Sequence, residues 1–132
     1  MRLCVVVGTR PEIIKMASIL HELRGRRSDY VLIHTGQHYD QALSGVFFQE
    51  LGLPEPDTNL ETGSGSQAEQ TATALVRLEQ AFCEIEPETV LVEGDTNTVL
   101  AAALAAAKMG IRVGHVEAGL RSGVGHRRRQ TA

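Results

Sequence analysis

Long apolar segments are missing from this 132-residue sequence. The longest candidate, Val99 to Ala107, has about half the length that a helix needs to span a bilayer. The apolar stretch near the amino terminus, Leu3 to Val7, ends at Gly8, and the charged residues Arg10 and Glu12 follow at once. A signal peptide would need a longer apolar core, so we predict a first β-strand here and no membrane partner.

Excess positive charge is also missing, since the net charge is −3 at pH 7. A general nucleic-acid-binding protein would normally be basic, so we expect no nucleic-acid partner. Cysteine is scarce, and Cys4 and Cys83 lack the spacing of metal ligands. Because each falls in a predicted apolar element, we expect both thiols to be reduced, buried and inert, in a cytoplasmic protein without a metal.

Apolar periodicity predicts strands that alternate with helices. Short continuous apolar runs are typical of strands buried on both faces of a parallel sheet, and apolar residues three or four apart indicate helices. The predicted strands are Leu3 to Val7, Tyr30 to His34, Val90 to Val92 and Ile111 to Val116, and the predicted helices are Pro11 to Gly25, Gln41 to Leu51, Gln67 to Ile85 and Ala101 to Met109. The stretch from Leu53 to Gly65 is predicted to be a surface connection. The alternation predicts an α/β fold with a doubly wound parallel sheet.

Ligands of doubly wound sheets bind outside the carboxyl ends of the strands. Four predicted loops lie there: Gly8 to Pro11, Thr35 to Asp40, Gly94 to Asn97, and Glu117 to Ser122. We therefore expect the functional residues in these loops.

The first loop combines glycine with positive charge. A helix that begins at Pro11 would offer free backbone N–H groups to an anion, and Arg10 and Lys15 would add charge near that end. This favours a phosphate or diphosphate ligand, with solvated surface charges as the alternative. The loop matches neither the Walker A motif nor Gly-x-Gly-x-x-Gly, so neither an NTPase nor an NAD enzyme is indicated.

The second loop is polar and contains Gln37 and His38, either of which could contact a ligand or serve a structural role.

Carboxylates follow the last two predicted strands. Asp95 follows the strand ending at Val92, and Glu117 follows the strand ending at Val116. If these strands are neighbours, the two groups meet at one edge, where a partly desolvated carboxylate pair suits general acid–base catalysis. Asp95 could instead cap the following helix. His115 is predicted to be buried and structural.

Four motifs together resemble the non-hydrolysing UDP-N-acetylglucosamine 2-epimerases. They are Gly8-Thr9-Arg10-Pro11-Glu12-x-x-Lys15, Gly36-Gln37-His38, Val92-Glu93-Gly94-Asp95-Thr96, and Gly114-His115-Val116-Glu117-Ala118-Gly119-Leu120-Arg121. They occur in the order and at the spacing of that family, and the similarity extends over about residues 1–122.

The resemblance implies a glycosyltransferase-B-type fold with two Rossmann-like halves and an active site between them. It implies interconversion of UDP-GlcNAc and UDP-ManNAc, without NAD or metal, by elimination of UDP and its re-addition. Arg10 and Lys15 would bind the nucleotide phosphates, and Asp95 and Glu117 would transfer protons near C2 of the sugar. Gln37 and His38 would lie where many members bind a second, activating UDP-GlcNAc.

The chain departs from the family pattern after Ser122, where members continue with Pro-Glu-Glu-x-Asn-Arg. Residues 123–132 show no periodicity and are expected to form a disordered, non-family tail. We expect residues 1–122 to form the N-terminal Rossmann-like domain, with the C-terminal UDP-binding domain absent through truncation, a frameshift or excision.

The expected function is that of the N-terminal portion of an epimerase with little turnover by itself. Two alternatives are open, a non-catalytic sugar-nucleotide-binding or assembly module, and a hydrolysing relative that releases ManNAc and UDP. Apolar surface that the second domain would cover predicts a homodimer or aggregate.

Overall fold

The structure is a computed structural model that describes residues 2–36, 48–53, 56–60, 62, 65–94 and 96–116. The strands and helices whose bounds are described follow the order β1 (Leu3–Val7), α1 (Arg10–Gly25), β2 (Tyr30–His34), β3 (Thr58–Asn59), α2 (Gln67–Ile85), β4 (Thr89–Glu93), α3 (Asn97–Lys108) and β5 (Arg112–Val116). The described part of the chain contains no helix that is both long and apolar enough to cross a membrane.

The strands form one parallel sheet in the order β3-β2-β1-β4-β5. The chain moves outward in one direction from β1 to β2 and β3, then returns to the other side of β1 for β4 and β5. The strand order therefore reverses between β1 and β4, which is where doubly wound sheets bind ligands. The expected α/β class and doubly wound topology are confirmed.

Strand β1 separates two apolar cores because alternate side chains of a strand point to opposite faces. Cys4 and Val6 pack in the core that α2 and α3 cover, whereas Val5 and Val7 pack in the core that α1 covers. Helix α3 contributes four buried alanines to the first core. Their small side chains allow the helix axis to approach the sheet closely.

Capping boxes begin two of the helices. The Thr9 hydroxyl accepts a hydrogen bond from the Glu12 N–H of α1 at 3.4 Å, and the Ser66 hydroxyl accepts one from the Glu69 N–H of α2 at 3.1 Å. In each box the glutamate carboxylate accepts the N–H of the cap residue in return. Helix α2 ends at Glu86, which adopts the left-handed conformation with φ 55° and ψ 56°.

One of the two expectations about the cysteines is wrong. Cys83 is exposed, whereas Cys4 is buried as expected, and burial raises the pKa of its thiol to about 12. The buried residues of α2 are Ala74, Leu78, Ala81 and Phe82.

The predicted surface connection from Leu53 to Gly65 contains the short strand β3. The predicted helix over 41–51 is helical at 48–50, and its residues 41–47 lie outside the described part of the chain, as does the predicted tail over 123–132.

Candidate functional site

The candidate site lies at the carboxyl edge of the sheet, where β1 and β4 are neighbours. The chain leaves β1 at Gly8 and Thr9 to enter α1, and it leaves β4 at Gly94 to enter α3 at Thr96. Both connections are short, so the polar groups that follow the two strands are held close to each other.

Gly8 is buried between two threonine side chains. The hydroxyl oxygens of Thr35 and Thr98 lie 3.3 Å apart. A Cβ atom on residue 8 would lie 2.6 Å from the first of them and 2.3 Å from the second, so only glycine fits without displacement of these side chains. Gly8 therefore lets the loops after β1 and β2 and the start of α3 meet above the sheet.

Glu12 is the central polar residue of this edge. Glu12 carries an ionisable side chain and is nevertheless only 3% exposed. The carboxylate accepts hydrogen bonds from the N–H groups of Gly8, at 2.7 Å, and Thr9, at 3.2 Å, and from the hydroxyl of Thr96. Burial raises the pKa of the Glu12 carboxyl and the charge of Glu93 adds to that rise, whereas these hydrogen bonds oppose it.

The capping box changes the expectation that α1 offers free amides to an anion. The N–H groups of Gly8 and Thr9 donate to Glu12, and the N–H of Glu12 donates to Thr9. Pro11 has no N–H to give. An internal carboxylate thus occupies donors that bind phosphate in other doubly wound proteins, and phosphate binding at this end would depend on side-chain charge. The Thr-x-x-Glu spacing is the sequence pattern that indicates a capping box.

Lys15 and Arg10 both lie near the start of α1. The Lys15 ammonium lies 3.5 Å from a carboxylate oxygen of Glu93, and the two side chains are 50% and 6% exposed. A buried carboxylate needs a partner, and Lys15 provides it while half of its own side chain remains open to solvent. Arg10 is exposed at the first position of the helix. Both positive side chains are therefore accessible at the predicted edge.

His115 is exposed, so the expectation of a buried histidine is wrong. Its Nε2 lies 2.7 Å from the carbonyl oxygen of Gly94. Because a carbonyl can only accept, Nε2 carries the proton and donates it. The contact ties β5 to the connection between β4 and α3.

Asp95, Glu117, Gln37 and His38 lie outside the described residues. The strands that Asp95 and Glu117 follow, β4 and β5, are neighbours and end in register at Glu93 and Val116, which meets the condition on which the carboxylate pair was predicted. The N-cap position of α3 is Thr96, whose side chain makes no capping hydrogen bond. Capping by the Asp95 side chain, the alternative to its catalytic role, stays a prediction.

Sequence reasoning missed Glu93, the contact of Thr96 with Glu12 and the two threonines beside Gly8. Glu93 and Thr96 belong to a motif in which the sequence assigns a role to Asp95, and they lie on either side of it. Thr35 and Thr98 carry no local signal, because what they do depends on the packing of three loops.

Comparison with known proteins identifies close relatives. The family model for UDP-N-acetylglucosamine 2-epimerase matches residues 21–126. The UDP-N-acetylglucosamine 2-epimerase of Methanococcus maripaludis is 52% identical over 118 residues, which are 89% of this chain and 32% of the relative. The chain superimposes with a TM-score of 0.84 on the crystal structure of Methanocaldococcus jannaschii UDP-GlcNAc 2-epimerase in complex with UDP-GlcNAc and UDP. The two are 50% identical over a match that includes 92% of this chain and 34% of the other.

A more distant structure shares the fold alone. The Streptomyces glycosyltransferase SsfS6, complexed with thymidine diphosphate, has a TM-score of 0.60 at 16% identity and covers 89% of this chain and 38% of its own. The chain thus spans about one third of the length of the epimerases that it matches, in their N-terminal part.

Proposed function

Because this chain belongs to the UDP-N-acetylglucosamine 2-epimerase family, we propose that it supplies the N-terminal part of an enzyme that interconverts UDP-GlcNAc and UDP-ManNAc. The observation that carries the proposal is the arrangement at the carboxyl edge of the sheet. There, β4 and β5 end side by side immediately before the acidic motif positions, and Lys15 lies against Glu93 at the end of β4.

The proposed reaction has two stages. A carboxylate removes the proton at C2 of the sugar, the C1–O bond to UDP breaks, and a C1=C2 double bond forms. UDP then adds back at C1 while a proton returns to C2 from the opposite face, which inverts that centre. We assign the two proton transfers to Asp95 and Glu117, and the reaction requires no metal or redox cofactor.

We assign binding of the nucleotide phosphates to Arg10 and Lys15. Both lie near the amino end of α1, and the Lys15 side chain is half exposed to solvent. Because Gly8 and Thr9 already donate their amides to Glu12, side-chain charge is the means of phosphate recognition that this edge offers. Charge-assisted contacts of this kind are stronger than neutral hydrogen bonds.

We propose that residues 1–122 form the N-terminal Rossmann-like domain and that a second, C-terminal domain closes the cleft in the active protein. The relatives are about three times as long as the chain, so they have room for such a domain. General acid–base catalysis needs the reacting groups preorganised away from bulk water. The 132-residue chain should therefore bind the sugar nucleotide weakly and turn it over little by itself.

Three further proposals concern regulation and context. Gln37 and His38 would contact a second, activating UDP-GlcNAc. Activation of this kind makes the rate depend sigmoidally on UDP-GlcNAc concentration, and replacement of the two residues by alanine would abolish that dependence. The exposed leucines of α3, Leu100 and Leu104, support a homodimer. The exposed free thiol of Cys83 supports a reducing, cytoplasmic location.

The experiment that tests the function joins residues 1–122 to the remaining two thirds of the Methanococcus maripaludis relative and follows UDP-ManNAc, ManNAc and UDP. Epimerisation is expected, with no net release of ManNAc. Appearance of ManNAc and UDP would identify a hydrolysing relative. Binding without any conversion would identify a non-catalytic module.

Substitutions then assign the roles. In the joined protein Asp95→Asn and Glu117→Gln should each lower kcat by about two to four orders of magnitude, the usual contribution of a general acid or base. Arg10→Ala should instead raise KM, because it removes a phosphate contact and not a proton carrier. Near-normal turnover of Asp95→Asn, at an unchanged melting temperature, would refute its catalytic role.

A further inference from the structure

Glu12 makes two contacts in addition to the one that a capping box requires. A box of this kind is complete when the glutamate accepts the N–H of the cap residue, here Thr9. Glu69, in the box at the start of α2, makes that bond to Ser66 at 2.8 Å. Glu12 accepts two backbone amides and, in addition, the hydroxyl of Thr96, which is 84 residues away in sequence.

The hydrogen bond from Thr96 to Glu12 determines how two loops lie relative to each other. Gly8 and Thr9 belong to the connection that leads from β1 to α1, and Thr96 belongs to the connection from β4 to α3. A single carboxylate that bonds to both fixes the distance between them. The hydroxyl of Thr96 is thereby committed to a tertiary contact, although Thr96 occupies the N-cap position of α3.

The cost of burying this charge indicates that the contact has a function. Glu12 is almost completely buried, and Glu93, also buried, is close enough for the two negative charges to repel. Lys15 offsets the charge of Glu93 at 3.5 Å. An isolated helix cap could be provided by an exposed glutamate, as Glu69 shows, so capping alone does not account for a buried carboxylate at this position.

We propose that Glu12 is a positioning residue that couples the β1–α1 connection to the β4–α3 connection and so sets the phosphate-binding side chains at the correct distance from the proton-transferring loop. The proposal rests on the proposed function of the site. Arg10 and Lys15 follow the first connection on α1, and the second connection contains Asp95 beside Thr96.

The coupling itself is tested on the 132-residue chain by amide hydrogen exchange measured with NMR. Glu12→Ala should accelerate exchange at Gly8 and Thr9, whose acceptor is lost, and also at Gly94, Thr96 and Asn97 in the other connection. Glu69→Ala, which removes a capping carboxylate without a tertiary contact, should leave the second connection unchanged. Unchanged exchange at residues 94, 96 and 97 in Glu12→Ala would overturn the proposal whether or not the protein is an epimerase.

The consequence for catalysis is tested in the joined protein. Glu12→Ala and Thr96→Val should each lower kcat by about 10- to 100-fold, because misplacement by about 1 Å can cost that much. The double variant should be no slower than the worse single variant, since both remove the same contact. Thr96→Ser keeps the hydroxyl, and Glu12→Gln keeps the shape of the glutamate side chain. Both variants should retain most of the rate.

Two results would contradict the positioning role in catalysis. One is multiplicative loss in the double variant, which would mean that Glu12 and Thr96 act separately. The other is an unchanged kcat in Glu12→Ala together with accelerated exchange in the β4–α3 connection, which would show that the coupled loops do not govern the reaction. An inactive joined protein with normal coupling in the exchange experiment would count against the proposed function and not against the coupling.

Discussion

Gly8 shows how much of the site depends on the absence of one carbon atom. Gly8→Ala would place a Cβ atom 2.3 Å from the Thr98 hydroxyl and 2.6 Å from the Thr35 hydroxyl, and both lie in buried surroundings. Overpacking of this kind costs about 1–3 kcal/mol of unfolding free energy. Urea unfolding should show that loss, and the additional substitution Thr98→Ala should recover part of it.

Gly25 provides the matched control. A Cβ atom there would meet nothing within 4 Å, and the residue is the last of α1. Gly25→Ala should therefore be neutral or stabilise by up to about 1 kcal/mol, because alanine restricts the unfolded chain and favours helix. Equal losses in the two variants would contradict the steric explanation for Gly8.

Glu12 should make stability depend on pH. Its pKa in the folded protein is raised, mainly by burial, above the ordinary glutamate value of about 4.3. The folded state then holds this proton more tightly than the unfolded state, so the unfolding free energy falls as pH rises from about 4.3 through the folded-state pKa. Glu12→Gln, which does not titrate, should lack this contribution.

The measurement is urea unfolding of both proteins from pH 4 to pH 8. The unfolding free energy of the wild type minus that of Glu12→Gln should decrease with rising pH and then become constant. A difference that increased with pH would mean that the hydrogen bonds from Gly8, Thr9 and Thr96 outweigh burial.

At the scale of the element, the end of α2 is one point where backbone conformation conflicts with residue type. Glu86 adopts φ 55°, a left-handed conformation that costs a non-glycine residue about 1–2 kcal/mol. Its negative charge also lies near the carboxyl end of a helix, which is unfavourable. Glu86→Gly should stabilise the protein by about 1 kcal/mol, measured as a higher Tm.

Glu79 tests whether that gain comes from the position. It is exposed in the interior of the same helix, where glycine is less favourable than other residues by about 1 kcal/mol. Glu79→Gly should therefore lower the Tm. The same chemical change is expected to have opposite signs at the two positions, and an equal sign would refute the conformational explanation.

Elements with strong local signals could be predicted from the sequence, and those stabilised by distant contacts could not. Strand β1 has five consecutive residues with the continuous apolar pattern of a buried strand, and α2 has a serine cap and a regular apolar pattern. Strand β3 has two residues in a stretch that contains several prolines and glycines, and it exists because it pairs with β2. Its sequence alone gives no indication of that pairing.

The same distinction applies to the site. The capping box of α1 could have been recognised from Thr9 and Glu12, which are three residues apart in the sequence. The hydrogen bond from Thr96 to Glu12 depends on β4 inserting beside β1, and no local pattern predicts which residue will reach the carboxylate. For His115 the local pattern was misleading. Its position along β5 predicted burial, but β5 is the last described strand of the sheet and His115 is exposed there.

At the scale of the whole molecule, the described helices lie on opposite faces of the sheet. Helix α1 covers one core, and α2 and α3 cover the other. On the second side, Leu100 and Leu104 are 57% and 40% exposed, and their i,i+4 spacing puts them on the same face of α3. A groove beside α3 and β5 has Val99, Ala103 and Val113 in its lining. Exposed apolar surface of this kind drives association.

This surface gives the last prediction, which concerns self-association. Sedimentation velocity over a wide concentration range should show a homodimer for the wild-type chain, and replacement of Leu100 and Leu104 together by glutamate should shift it towards the monomer, because burying two unpaired charges in an interface is costly. Ile14 is 54% exposed on α1, which covers the opposite face of the sheet, so Ile14→Glu should leave association unchanged. A wild-type chain that is monomeric at every concentration would refute the dimer, and an equal effect of Ile14→Glu would place the interface elsewhere than on α3.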